Sequence, residues 1–282
     1  MEVTEKAPAK INLGLDTMYK RDDGYHELAM VMTSVDLSDR LSFEEIKENA
    51  IYIETNKAFL PIDKKNHVYQ AIAHVKEKYH IQTGVKIKID KKIPIAAGLG
   101  GGSTDAAAAI RGINRLWHLN LSQEEMAQLG LVAGSDVPYC VYGKTARVTG
   151  IGEIITPIKP IPSSWVVLVK PGISVSTPKI FQELVVEQVH HPDISLLCDA
   201  IEEGNYEKMI ANLGNSLEAV TCTKYPIVLK VKEKMEKAGA DGVLMSGSGP
   251  TVFGLCQNYS RAKRVYNAMK GFCQEVYLVR TL

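Results

Sequence analysis

The sequence has almost no net charge, no paired cysteines and no long apolar run, and each absence removes a class of function. Lysine and arginine number 33 against 32 acidic residues in 282. That balance offers no general attraction for nucleic acid or an anionic membrane, so any anionic ligand has to be held by a local device. The five cysteines (Cys140, Cys198, Cys222, Cys256 and Cys273) are odd in number and scattered without a CxxC pair. Neither a disulfide framework nor a zinc knuckle is indicated, and Cys140 and Cys256, in apolar runs, read as reduced core residues. No stretch approaches the ~20 apolar residues of a membrane span, and no signal-peptide pattern opens the sequence, so a cytosolic location is expected. None of the seven histidines falls in an HExxH or similar spacing, so no metal held by the protein itself is expected.

What is present is a globular pattern of mixed α/β (α+β) type. The hydrophobic fraction is 45%, enough for a sizeable core. The length exceeds the roughly 100–200 residues of one domain, which predicts one large or two packed domains. Ile11, Leu13 and Leu15 alternate with polar or small residues as in a half-buried strand, and Asp22-Asp23-Gly24 marks a turn into a return strand through Met30, Met32 and Val35. Segments 41–46 and 50–54 read as separate short strands. Val68, Ala71, Ile72, Val75 and Tyr79 fall on one helical face over 66–80, and Val85, Ile87 and Ile89 return to strand period. A helix is expected over 105–117, and Ser122 with Glu125 forms a capping box for the next. Three prolines in 157–162 mark a boundary. Beyond it the pattern predicts a strand at 165–170 and helices near 192–202, 206–213, 226–238 and 260–270. Two strands flank 246–250, and a last one lies near 276–279.

The most informative stretch is Pro94-Ile95-Ala96-Ala97-Gly98-Leu99-Gly100-Gly101-Gly102-Ser103-Thr104, followed by Asp105 and an alanine run. Four glycines in five residues let the backbone turn tightly and aim several N–H groups at one point. The helix former behind them puts those amides at a helix N-terminus, where the dipole favours an anion. Ser103 and Thr104 add hydroxyls able to touch a phosphate or its magnesium. It is not a Walker A loop, because no lysine precedes the hydroxyl pair, and Ser103 stands where a Rossmann fingerprint needs its third glycine. The competing reading is a glycine-rich turn with Asp105 or a hydroxyl as an ordinary N-cap.

Other candidates carry two readings each. Lys10 and Asn12 share the polar face of the first strand and read as a solvated face or as ligand contacts. Asp136, between apolar flanks, reads as an Asx-turn or helix cap, or as a general base. Ser246-Gly247-Ser248-Gly249 reads as a plain hairpin turn or as a second small-residue loop that approaches a ligand. Tyr25 and His26 could meet a substrate, although a core or surface histidine is commoner.

Lys6–Asn12, Pro94–Ala106 and Ser246–Thr251, in this order, resemble the three hallmark segments of the GHMP small-molecule kinases. Gly24–Glu27, Gly134–Pro138, Thr177–Phe181 and Asn215–Glu218 support the resemblance, which runs nearly the whole length. It implies a two-lobed fold, a ribosomal-protein-S5-like domain over 1–158 and a ferredoxin-like domain over 159–282. It also implies ATP, carried with magnesium, and a small-molecule alcohol as acceptor. By the same resemblance Asp136 is the catalytic base with Lys10 as its partner. Pro94–Thr104 holds ATP, with Asn66 on the adenine side. Asn12 lies near the acceptor, and Tyr25, His26 and Phe181 grip a cytidine end, Phe181 by stacking. Ser246, Gly247, Ser248 and Gly249 complete the acceptor side. His67, Lys144 and Ile151 depart from the family pattern. Two alternatives remain open, a different alcohol as acceptor and an idle nucleotide-binding paralogue. RNA binding finds no basic stripe to support it.

Overall fold

The computed structural model describes residues 2–282. Two long strands, β1 (Glu2–Lys20) and β2 (His26–Ile46), are neighbours in one sheet and are joined by the expected turn. The Arg21 amide donates to the Tyr25 carbonyl (2.8 Å), and the Asp23 carboxylate accepts from the Tyr25 amide (3.0 Å). Both strands run through two compact units that are discontinuous in sequence. The first comprises the chain up to Ala9, Leu37–Ile95 and Gly100–Gly143. The second comprises Lys10–Asp36, Ala96–Leu99 and Lys144–Leu282.

In the first unit, β3 (Ile51–Thr55) lies parallel to β4 (Gly84–Asp90), which pairs antiparallel with Arg40–Ile46 of β2. Four helices follow: α1 (His67–Lys78), α2 (Gly101–Leu116), α3 (Gln123–Gly130) and α4 (Val137–Tyr142). Asn66 caps α1, its side-chain oxygen accepting from the Val68 amide at 2.9 Å, and Val68, Ala71, Ile72 and Val75 form the buried face. The Ser122–Glu125 capping box forms as expected at α3. The small side chains Ala106–Ala109 are buried, and α2 packs against α1, α3 and α4. Gly112 of α2 lies so close to β2 that a Cβ there would sit 2.4 Å from the Phe43 ring. Alanine at 112 would overpack that contact, at a cost of about 1–3 kcal/mol.

Residues 41–46 are not a separate strand. They are the end of the 21-residue β2, which continues through Asp36, Ser38 and Asp39, polar residues that suggest a break. Asp39 is fully buried within the strand, and its carboxylate is paired, as described below.

In the second unit β5 (Ala146–Gly150) pairs antiparallel with Leu28–Met32 of β2 and with β6 (Ile154–Pro157). After β7 (Trp165–Lys170) come α5 (Thr177–Glu183), α6 (Ile194–Glu202) and α7 (Tyr206–Ala211). The two-residue β8 (Gly214–Asn215) pairs parallel with Gly14 and Leu15 of β1. Then follow α8 (Glu218–Lys224), α9 (Pro226–Lys237), β9 (Gly242–Met245), β10 (Val252–Cys256), α10 (Tyr259–Lys270) and β11 (Glu275–Arg280). The antiparallel sheet β11-β7-β10-β9 has ferredoxin-like order, with α9 and α10 packed on it. Val228, Val231 and Met235 of α9 and Ala262, Val265 and Met269 of α10 are buried. Each large aliphatic side chain so buried contributes about 1.5–3 kcal/mol. Of these elements β5, β6, α5, β8 and α8 have no counterpart in the sequence reading. All five cysteines are free, with Cys140 and Cys256 buried. No helix of the described residues is long and apolar enough to cross a membrane.

Candidate active site

The glycine-rich segment leaves β4, turns irregularly over 94–100 and enters α2 at Gly101, four residues earlier than the alanine run predicts. Ala96 (φ 51°), Gly98 (φ 73°) and Gly100 (φ 66°) are all in the left-handed region. Gly100 occupies the N-cap position of α2 and offers no side-chain cap. The first turn of this 16-residue helix therefore has no side-chain cap for its amides. The N-cap reading of Asp105 is overturned: it sits inside the helix and points into the protein, 5% exposed. Ser103 and Thr104 fall in the first turn, and the Thr104 hydroxyl is buried without a hydrogen-bond partner.

Beneath this turn lies a buried ionic cluster that the sequence reading missed. The Lys91 ammonium donates to Asp39 Oδ2 (2.5 Å), Asp105 Oδ2 (2.6 Å) and the Gly101 carbonyl (2.9 Å), which uses all three of its protons. The other Asp39 oxygen accepts from the backbone amides of Lys92 (2.5 Å) and Ile93 (2.8 Å). Asp105 Oδ1 is buried with no partner. Burial pushes the Asp105 carboxyl up to about 8; Lys91 opposes the shift and the Asp39 carboxylate adds to it. Nothing local in the sequence links positions 39, 91 and 105. The available clue was an aspartate near the strand segment 41–46 and a lysine just before the glycine loop, and the sequence reading used neither.

Asn66 and Asp136 also belong to the first unit. The Asn66 amide is committed to structure, since its nitrogen donates to the Pro61 carbonyl (2.7 Å) while its oxygen caps α1. Asp136 occupies the N-cap position of α4, without a side-chain cap hydrogen bond to that helix. His67, the first residue of α1, lies beside Gly102, 3.2 Å from where a Cβ would stand. Partial desolvation, and then the Lys91 charge, hold its imidazole below the ordinary value.

The second unit gathers another group of the expected residues. Lys10 is 4% exposed, and its ammonium donates to Asn12 Oδ1 at 2.7 Å, so the pair is a buried hydrogen-bonded unit rather than a solvated face. The Lys10 amide donates to the Leu99 carbonyl (3.0 Å), and the Ser246 hydroxyl to the Gly98 carbonyl (2.9 Å). A Cβ on Gly98 would meet the Ser246 carbonyl at 2.2 Å, and one on Gly247 would lie 3.5 Å from the Lys10 ammonium. Only glycine permits both approaches. Ser246–Gly249 is thus brought against Gly98, Lys10 and Asn12 and is more than a hairpin turn.

That loop is fastened by residues noted only within the family resemblance. Asn215 donates to the carbonyls of Met245 and Gly247 (both 2.8 Å) and accepts from the Leu217 amide (3.0 Å). Glu218 accepts from the Met245 amide (2.8 Å) and meets Lys232 (2.6 Å), while the Thr221 hydroxyl donates to the Ser248 carbonyl (3.2 Å). Thr177 and Ser248 share a hydroxyl hydrogen bond of 2.7 Å. The His26 and Phe181 rings lie 5.3 Å apart at 30°. Desolvation, then Lys20, keep His26 below the ordinary histidine value. Tyr25 stands beside His26 in sequence and is 62% exposed.

The first unit carries an uncapped helix start behind a glycine loop, a form suited to an anion, and the second a buried lysine–asparagine pair on β1. Known proteins place the chain more closely. The family model for the N-terminal domain of GHMP kinases matches residues 66–144, and that for the GHMP kinase C-terminal domain matches residues 187–275. The chain belongs to the GHMP kinases. It is 56% identical over 282 residues, all of both chains, to a protein of Enterococcus faecalis named 4-diphosphocytidyl-2-C-methyl-D-erythritol kinase. A protein of the same name from Bacillus velezensis is 53% identical over 282 residues, 100% of this chain and 98% of its own. A crystal structure of 4-(cytidine 5'-diphospho)-2C-methyl-D-erythritol kinase superposes with a TM-score of 0.84 at 31% identity, covering 100% of this chain and 99% of that one. Homoserine kinase from Cytophaga hutchinsonii shares the fold, with a TM-score of 0.81 at 21% identity over 98% of this chain and 94% of its own. The chain is an enzyme that phosphorylates a small-molecule alcohol, and membership of the family carries ATP use with it.

Proposed function

We propose that this kinase transfers the γ-phosphoryl group of ATP to the 2-hydroxyl of 4-diphosphocytidyl-2-C-methyl-D-erythritol, a step toward isoprenoid precursors by the non-mevalonate route. The observation that carries this reading is 56% identity, without a gap in coverage, to a relative bearing that substrate's name. Asp136 accepts the hydroxyl proton as the new oxygen–phosphorus bond forms. The β–γ bridging bond breaks, and its electron pair leaves on ADP. Lys10, oriented by Asn12, neutralises charge on the transferred group. Pro94–Thr104 receives the triphosphate on its amides, with Asn66 assigned to the adenine side. Tyr25 and the His26–Phe181 ring pair take the cytidine end, where a neutral His26 offers a flat, weakly solvated face. Ser246–Gly249 lines the acceptor side, and 158/159 is the proposed domain boundary.

Magnesium fits this site as a companion of the triphosphate. The hydroxyls of Ser103 and Thr104, the latter buried and unpartnered, are oxygen donors that would meet the metal-bound triphosphate. Among the described residues no cluster of three or more His, Cys, Asp or Glu could hold a metal alone. Bound there, the ion would offset charge on the β- and γ-phosphates. The substrate is a soluble metabolite, which assigns the enzyme to the cytoplasm.

The test is ADP release with magnesium-ATP and the named alcohol. Acceptor-dependent turnover of about 1 per second or faster is expected. A folded protein that binds ATP but turns over only mevalonate or homoserine would overturn the acceptor.

A further inference from the structure

We infer that Lys91 is a positioning residue for the nucleotide, because its ammonium ties together the two ends of the glycine-rich loop. The inference rests on the reading of Pro94–Thr104 as the ATP loop. Lys91 itself stands at the loop's entrance. Its ammonium reaches the carbonyl of Gly101, the first residue of α2, at 2.9 Å and the Asp105 carboxylate, one turn into that helix, at 2.6 Å. Asp39 on β2 completes the tie by holding Lys91 and the amides of Lys92 and Ile93 together. A flexible loop of this length loses entropy when its ends are brought together, and a preformed tie removes that loss from the binding step.

Three details argue for a built device rather than a stray ion pair. Side-chain exposure is 3% for Lys91, 0% for Asp39 and 6% for Asp105. The buried ammonium is fully satisfied, since all three Lys91 protons are used. Gly101 makes room, since a Cβ there would already lie 3.1 Å from the Lys91 nitrogen. The tie also acts on the groups that matter: Gly101, Gly102 and Ser103 carry the amides of the uncapped first turn. Fixing the Gly101 carbonyl and the Asp105 side chain fixes the direction in which those amides point.

Lys91→Met keeps the side-chain length and removes the ammonium, but leaves two buried carboxyl groups without their cation, a change that works against folding. The triple variant Lys91→Met, Asp39→Asn, Asp105→Asn removes all three charges while both amide oxygens remain as acceptors, and it keeps the test decisive. ATP binding is measured first by calorimetry on wild type and triple variant without acceptor, then steady-state kinetics with both substrates. The expected result is an ATP dissociation constant and KM raised about 10-fold or more, with acceptor KM and kcat at saturating ATP within about twofold of wild type. A merely structural role would lower the active fraction, and so apparent kcat, and leave the ATP KM unmoved; that outcome overturns the inference. Wild-type ATP affinity in a folded triple variant does the same. If wild type itself binds no ATP, the reading of the loop fails, a result distinct from either.

Discussion

At the first glycine-rich loop the anchoring groups are ions, one ammonium between two carboxylates; at the second they are mainly neutral, an asparagine amide and a threonine hydroxyl, with one carboxylate at the edge. Both loops need glycine for close approach, and both have carbonyls gripped by a side chain from a distant part of the chain. The difference lies in charge. The Lys91 cluster places a positive charge below the amides proposed for a polyanion and balances it with the Asp39 carboxylate, while Asp105, pushed up to about 8, is largely protonated at neutral pH. Asn215 sits in the unit that holds Lys10, the proposed charge-neutralising residue, and a neutral clamp adds no second charge there.

The largest effect should come from charging the neutral clamp. Asn215→Asp turns a donor facing two carbonyls into a repelling carboxylate, and should lower kcat/KM by about 100-fold and stability by about 3 kcal/mol. Urea unfolding and steady-state kinetics check both figures, and wild-type values would erase the distinction between the clamps. Neutralising the charged one should act in the opposite direction on stability. Asp105 rises from 3.8 to about 8 on folding, so its protonated form is favoured in the native state. Its contribution is fully present below about pH 4 and is lost as the pH climbs through about 8. Asp105→Asn should therefore flatten the fall in melting temperature across that window and exceed wild type at pH 8; parallel profiles would show that the carboxyl does not hold its proton. Glu218→Gln keeps an acceptor for the Met245 amide but loses the charge that meets Lys232, and should cost about 1 kcal/mol with little change in ATP KM.

The smallest effect concerns a third tie. Both ring nitrogens of His191 face acceptors, Asp16 Oδ1 at 2.7 Å and the Val186 carbonyl at 2.9 Å, and the Asp16 hydrogen bond raises its pKa. The tie is complete below the ordinary histidine value and weakens as the pH rises past the raised one. Protection factors for the amides of residues 186–191, which already allow for the intrinsic rise of exchange with pH, should fall modestly from pH 6 to 8, and His191→Phe should remove that fall.

Much of the scaffold was legible because local rules and tertiary needs agree. The hairpin at Asp22–Gly24, the Ser122–Glu125 box and the strand Trp165–Lys170 each carry their own signal. Where they disagree, tertiary pairing wins. Asp39 interrupts the strand pattern, yet β2 runs on because Lys91 and two amides satisfy its carboxylate. Gly101 and Gly102 are poor helix formers, yet α2 begins there, with the Gly101 carbonyl held by Lys91. The short β5 and β6 and the proline-opened α5 are too brief for periodicity to register. At the site, motif glycines and hydroxyls stood out and Asn215 showed only within the family resemblance, whereas Lys91 and Asp39, paired across 52 positions, gave no local sign.

The second unit is closed by pairings that span almost its whole length. The Ser216 hydroxyl accepts from the Thr17 amide at 3.0 Å, Thr281 bridges to Val35, and the Leu282 amide donates to the Ser34 carbonyl at 3.0 Å. On the ribosome, strand residues 10–36 therefore wait for Ser216, Thr281 and Leu282, partners made much later. Until then the apolar edge of the hairpin is open, so a stalled ribosome carrying this nascent chain presents a natural client for holding chaperones.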